Sequence, residues 1–529
     1  MRRVHMNKTR KTLALTAAAV MAASAVLAAC SAPKSDAPAG GTAATNPAGN
    51  TSGNNSGNTA APAKPLAVKM LLNFDGKDVP VPGNEAQKAI EAYTNTKLEI
   101  TSIASNDFCN KLPVMIASGD LPQIVASCGS PSQSYLISAV QNGAFWDVTP
   151  YIKDYKNLAQ MPQIVYDNVK IDGKLYGIPR YRPIARYVWS YRKDWLTNLG
   201  LQQPKTVDDL YNMLKAFTNG DPDKNGKNDT YGLTMMVKND SLRPDFGVVF
   251  GAPLLWGVKD GKFIRAEETP EYMEGLKFTK KLYDEKLINQ DFAAIDVPKF
   301  EGDLENGKVG VINEATNKIL TFDSRVKSHN PNAAIDAFAI LQGPKGTFLG
   351  GERGSNGILM FPKSSVKTEA DLKQLLTFID KLSDKPMADL LEWGIQGKHY
   401  ELKDGKAVRT NQDAFDNEIG FPYKYPLETV PVNNIRTEGA LDPLTKLQLQ
   451  LENDNTQYAV VDPTMTLISA TWAQKGQELV QILTDAKVKF IMGKIDESGW
   501  NAELNKYRKA GGEQVSKEYA EAYAKTQKK

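Results

Sequence analysis

The chain has 529 residues, an ordinary globular composition and near-balanced charge, with 64 Lys and Arg against 61 Asp and Glu. That length allows two or more domains, and without a dominant basic patch a nucleic-acid partner is not expected. Only three His and three Cys are present, which argues against a His-rich metal site and against Ser-His or Cys-His catalysis.

Residues 1–30 come first. Arg2, Arg3, Lys8, Arg10 and Lys11 form a basic head, residues 12–26 carry no charge, and Leu27-Ala28-Ala29-Cys30 closes the run. Charged, apolar and small-residue regions in that order predict a secretory signal over residues 1–29. Its L-A-A-C ending resembles a bacterial lipoprotein lipobox, which implies lipidation at Cys30. Removing the five positives leaves 59 basic against 61 acidic residues. No later apolar run approaches the roughly 20 residues of a spanning helix, so the membrane is expected to be reached through lipid alone, on its extracellular face. Residues 31–65 are Gly, Ala, Asn, Ser, Thr and Pro with almost no large apolar side chain. They cannot bury a core and complete, with Cys30, a flexible tether over 30–65.

From Leu66 the pattern is α/β. Residues 66–72 predict a strand, 85–93 a helix, 97–103 an alternating strand, 108–118 a helix and 123–126 a short buried strand. Alternation with short links favours a parallel sheet. Cys109 and Cys128 are either bridged, which export would permit, or two buried small hydrophobes. Neither a G-x-G-x-x-G nor a G-x-x-x-x-G-K-[ST] loop occurs.

The segment Ala117-Ser118-Gly119-Asp120-Leu121-Pro122 resembles the "ASGDLPDI" signature of extracellular solute-binding proteins of carbohydrate ABC importers, with Gln123 where that family usually has Asp. Similar matches include Tyr176-Gly177-Ile178-Pro179-Arg180, Gly394-Ile395-Gln396-Gly397 and Phe490-Ile491-Met492-Gly493. The resemblance is to the LplA/LipO lipoprotein type, distantly similar to alginate-binding proteins. It implies a two-lobed binding-protein fold, each lobe a central sheet flanked by helices, with the ligand in the cleft at the hinge. The crossings are expected near 183–187, 341–346 and 383–386. This assigns 66–183 plus 343–383 to an N-terminal lobe and 184–342 plus 384–529 to a C-terminal lobe. Gly343-Pro344-Lys345-Gly346 suits a chain reversal.

Residues 221–229 hold Asp221, Asp223, Asn225 and Asp229 at loop positions 1, 3, 5 and 9, with Gly226 at 6. That is the EF-hand pattern for calcium, and Lys227 would offer its carbonyl at position 7. Position 12 is Gly232, so the bidentate acid is missing; an Asx-rich turn is the alternative reading. The family carries such a loop with bound calcium, which implies a structural clip. The preceding helix starts at a Thr206 cap and has the apolar stripe Leu210, Met213, Leu214 and Phe217; residues 231–237 read as a strand.

Residues 180–192 pack four Arg and four aromatics into thirteen positions. Aromatic planes suit the apolar faces of sugar rings, and guanidinium donors suit hydroxyls or carboxylates. Arg180, Arg182, Arg186, Tyr187, Trp189 and Tyr191 are therefore candidate ligand contacts, joined by Arg353 in a Gly-rich stretch and by Trp393. Alternation puts Tyr187, Trp189 and Tyr191 on one strand face and Val188 and Ser190 on the other. Packing in the core is the competing role for Trp189 and Trp393. The arginines hint at an acidic sugar. The expectation is a monomeric, lipid-anchored, non-enzymatic subunit that captures an oligosaccharide and passes it to ABC permease subunits. A secreted carbohydrate-active enzyme and a wall-polysaccharide-binding lipoprotein are the alternatives.

Overall fold

Val68, Met70, Leu71, Leu72 and Phe74 are all buried, so the first strand, β1 (Leu66–Phe74), is covered on both faces, as parallel strands are. It pairs in parallel with β2 (Thr96–Ala104), Leu66 opposite Thr96, and with β3 (Ile124–Ala126). The computed structural model describes residues 64–74, 79–129, 131, 133–238, 241–432 and 435–527. The expected signal, Cys30 and nearly all of the tether lie outside the described residues.

Helices α1 (Glu85–Thr94) and α2 (Ser105–Ser118) fill the predicted places. Asn84 caps α1 by accepting from the Gln87 N–H. Cys109 on α2 is disulfide-bonded to Cys128, just beyond β3, with Cα atoms 5.4 Å apart. The first sheet runs β2, β1, β3, Ser355–Met360, then β4 (Ile178–Tyr181), the strand Ser355–Met360 lying antiparallel to both its neighbours.

A second sheet runs Ile335–Phe338, β5 (Tyr187–Arg192), Val309–Ala315, then β6 (Tyr231–Leu233). Alternation along β5 splits its side chains between two cores. Trp189 and Tyr191 enter one cluster and Val188 enters the other. The predicted strand 231–237 is broken: Met235 donates its N–H to Asn289 Oδ1 (2.7 Å) instead of a neighbouring strand, and Met236–Lys238 pairs with Ser241–Arg243 in a separate ribbon. The helix Val207–Asn219 has the predicted Thr206 cap, closed reciprocally by Asp209, and buries the predicted stripe.

The chain leaves the first sheet after β4 and enters the second at β5, so the passage between them falls at 182–186. The return runs from Phe338 to Ser355, and Gly343 and Gly346 pair across the predicted reversal. A Cβ on Gly343 would lie 1.9 Å from the Val249 carbonyl oxygen, so only glycine fits there. The third crossing differs from expectation. Ser383 to Pro386 is a helix-to-helix turn, with Asp384 at the cap and Pro386 in the first turn of Lys385–Trp393. Met387, Ala388, Leu390 and Leu391, then Phe415, Ile419, Leu427 and Val432, all pack into the first core. The segment 384–432 thus belongs with the first lobe, because the apolar stripe of its first helix is buried there. The chain crosses between Val432 and the helix Pro443–Asp454, whose Leu444, Leu447 and Leu451 pack on the second lobe. Ala459–Val460 then pairs with Leu349–Gly350 inside the return passage.

Candidate functional site

A cavity of about 430 Å³ opens where the return passage meets the second lobe. Tyr187 and Trp189 of β5 and Asn313 of the neighbouring strand form its floor. The loop from Leu242 to Leu255, together with Tyr272 and Lys487, forms one wall, and Phe348 to Arg353 with Asp462 and Met465 forms the other.

Of the residues predicted from sequence, Tyr187, Trp189 and Arg353 line this cavity. Trp189 is also core: only 4% of it is exposed, and its ring stacks on Phe246 at 5.4 Å and Phe338 at 6.3 Å. The structure does not bring the other candidates to the wall. Arg180 is 2% exposed and donates to Asn73 Oδ1 (2.6 Å) and to the carbonyls of Ser127 (3.2 Å) and Asn356. It ties three strands of the first sheet together. Arg182 is half-buried and its backbone N–H donates to the Gly354 carbonyl (3.0 Å). Arg186 donates to Asn317 Oδ1 (3.3 Å). Tyr191 is buried against Phe338. Trp393 is buried with Tyr400 and Ala407, donates to the Thr437 carbonyl (2.9 Å) and lies under Arg409 and Arg436.

The wall's charges are mostly spoken for. Arg243 holds both oxygens of Glu314 (2.9 and 3.0 Å) and donates to the Tyr187 hydroxyl (2.9 Å). Burial pushes the Glu267 carboxyl up, but Arg265 (2.9 Å) and Lys487 (2.8 Å) more than offset it and hold it down at about 2. Arg265 in turn lies between the rings of Trp256 and Trp472. Asp245 is raised by burial and accepts from the Tyr272 hydroxyl (2.7 Å). Asp462 is likewise raised by burial and accepts from the backbone and hydroxyl of Thr464. Arg353 differs. Burial lowers it, its Nε is buried with no hydrogen-bond partner, and the nearby Glu352 and Asp462 attract it without bonding to it. A buried donor of this kind is costly unless something accepts from it. Arg243, Asp245, Asp462 and Lys487 carry no local sequence signal. They come from three separate segments, and only the fold gathers them.

The loop 221–229 keeps its oxygens close. Asp221 accepts from the N–H groups of Asn225 (3.0 Å) and Gly226 (3.1 Å), an Asx-type turn. The Asn225 amide donates to Asp223 (2.8 Å) and Asp229 (3.1 Å), and its oxygen accepts from the Lys227 N–H (2.7 Å). Among the described residues no group of three or more acidic, His or Cys side chains is gathered as a metal centre; here an amide N–H stands between the carboxylates. The donor set nevertheless suits a hard cation. Asp223 Oδ1 is buried with no hydrogen-bond partner, and burial, then Asp221 and Asp229, raise that carboxyl. A cation would relieve both, and rotating the Asn225 amide would present its oxygen. Among the described residues no helix is long and apolar enough to cross a membrane.

Two lobes, three crossings and a cavity against the passage between them define a binding protein of the hinged kind. The chain belongs to the bacterial extracellular solute-binding protein family, which it matches over residues 77–383. It is 35% identical to lipoprotein LipO of Bacillus subtilis over 465 residues, covering 86% of this chain and 92% of LipO. It is 36% identical to the polygalacturonan/rhamnogalacturonan-binding protein YtcQ of the same organism over 447 residues, 84% of this chain and 88% of that one. An HMO-binding, ABC-transporter-associated solute-binding protein from Bifidobacterium longum infantis superposes with a TM-score of 0.67 at 16% identity, covering 87% of this chain and 99% of its own.

Proposed function

We propose that this chain is the extracellular subunit of an ABC importer, anchored by lipid at Cys30, that captures an oligosaccharide and hands it to a membrane permease. The lobes close about the three crossings, and the ligand shifts an open–closed equilibrium through contacts made only when closed. Arg353 is the observation that supports this most: a guanidinium with no side-chain hydrogen bond among the described residues, on a cavity of about 430 Å³ walled by Tyr187, Trp189, Tyr272 and Phe348. Aromatic faces suit a sugar's C–H faces, and Asn313, Asp245 and Asp462 offer acceptors to its hydroxyls. The similarity to YtcQ, whose name gives polygalacturonan and rhamnogalacturonan as its ligands, supports a saccharide cargo. The protein works as a monomer and alters nothing it binds. Calcium, held by Asp221, Asp223, Asn225, Asp229 and the Lys227 carbonyl, would neutralise the loop's carboxylates and clip the helix Val207–Asn219 to β6.

Calorimetric titration against an oligosaccharide panel, with chromatography of the sugar afterwards, tests the reading. Saturable binding with the sugar recovered intact is expected. Cleavage of the sugar, or no binding to any member, would end it.

A further inference from the structure

The cavity wall takes nothing from the first core, yet closure must bring a first-lobe surface onto the ligand. One surface is built for it. β4 ends at Tyr181, whose N–H donates to the Glu428 carbonyl (2.8 Å). This holds the short helix Tyr425–Leu427 at the carboxyl end of the first sheet, where the chain crosses and where open α/β sheets place ligands. Pro426 and Leu427 are buried as its anchor. The preceding turn, Asp416–Lys424, is wound as a π-helix, a rare form found mostly at functional sites. Lys424, held by Glu392 (2.7 Å), fixes its end.

On this anchored segment Tyr425 stays 44% exposed, its ring 5.7 Å from that of Phe421 and tilted by 55°. Beside it the Glu428 carboxylate has no hydrogen bond or ion pair among the described residues. Burial first, then the charges of Glu392 and Glu452, push that carboxyl up to about 7, although Lys424 and Arg436 pull it down. Glu452 comes from the second lobe, where Thr316 and Gln448 hold it and Arg186 attracts it. Its charge also reaches Tyr181. So Tyr181 and Glu428 lie at the crossing within reach of a second-lobe charge, and Tyr425 is exposed on the same anchored segment.

We propose that Tyr425 and Glu428 are the first lobe's sugar contacts, Tyr425 stacking on a ring and Glu428 accepting from a hydroxyl, and that the sugar held there is neutral. A uronate carboxylate in that place would meet Glu428 and Glu452 together, and like charges brought together out of water repel strongly. This rests on the saccharide reading above and narrows it.

The full mature chain, wild type and variants, is titrated with neutral oligosaccharides (galacto-, arabino-, xylo- and manno-) and with oligogalacturonides. The wild type should bind a neutral member most tightly. Tyr425→Ala should weaken that binding about tenfold or more with an unchanged melting temperature, since the ring is exposed, and Tyr425→Phe should keep it, since the stacking face remains. Glu428→Gln should improve binding of the oligogalacturonide relative to wild type. Wild-type affinity in Tyr425→Ala, or an oligogalacturonide as the tightest ligand, overturns the inference while leaving saccharide capture intact. A wild type that binds no sugar of either charge overturns both.

Discussion

Arg180 lies on β4 and Arg353 just before the strand that pairs with it, and both are largely buried, yet they are bonded very differently. Arg180 donates to three acceptors, two on strands and one just beyond β3. Arg353 has two carboxylates in reach of its charge and, among the described residues, makes no side-chain hydrogen bond to either. The first is bonded through both of its terminal nitrogens and closes the end of a sheet. The second is a donor held ready, and holding it costs stability that only an incoming acceptor returns. The number of bonds each guanidinium makes, and not residue type, separates the arginine that builds the fold from the one proposed to face cargo.

Removing Arg180 should therefore give the largest effect. Arg180→Ala strands the Asn73 side chain and two carbonyls in a dry place, and each buried acceptor left unsatisfied costs about 1–3 kcal/mol. Chemical denaturation should show that loss, while the folded fraction binds sugar with wild-type affinity. Altered affinity in the folded fraction would erase the contrast with Arg353. Next comes acid. Glu267 is held at about 2 in the folded chain against 4.5 unfolded. The stability it contributes is present above pH 4.5 and is lost as pH falls toward 2. At 1.36 kcal/mol per unit this amounts to roughly 3 kcal/mol. Glu267→Gln should flatten the acid limb of the stability curve; an unchanged limb would place the acid sensitivity elsewhere.

What the sequence disclosed follows the same division. Strand and helix positions were legible because they depend on local period: residues 66–72 and 97–103 became β1 and β2, and the Thr206 cap starts its helix. The passages at 182–186 and 338–355 carry Pro183 and Gly343 to Gly346, where the backbone itself is constrained. The third passage was not legible, because the stripe Met387, Ala388, Leu390 and Leu391 suits either core, and Pro386 marks a helix start as readily as a hinge. In the site, Tyr187 and Trp189 were legible from alternation in one strand. Arg180 and Trp393 carry the same composition signal but are consumed by packing, which depends on acceptors and neighbours far along the chain. Arg243, Asp462 and Lys487 had no signal at all, since they meet only in three dimensions.

Arg353→Gln is the converse of the Arg180 experiment. It removes a donor that nothing among the described residues accepts from, so the melting temperature should hold or rise slightly. Sugar affinity should fall about tenfold, the scale of one hydrogen bond to a charged group. A large drop in stability with affinity intact would make Arg353 another Arg180. Asp223 extends the argument to the smallest effect. Its Oδ1 is buried without a donor and its carboxyl is raised by burial, Asp221 and Asp229, so it is an acceptor in the condition of the Arg353 donor. If calcium is what satisfies it, EDTA should lower the melting temperature by a few degrees, because binding to the folded state alone stabilises by mass action. Asp223→Asn should be insensitive to EDTA and should match the wild type measured in EDTA. Equal melting of the wild type with and without EDTA would leave the loop as an Asx turn, and an unmatched buried atom would then not be enough to mark a ligand in this protein.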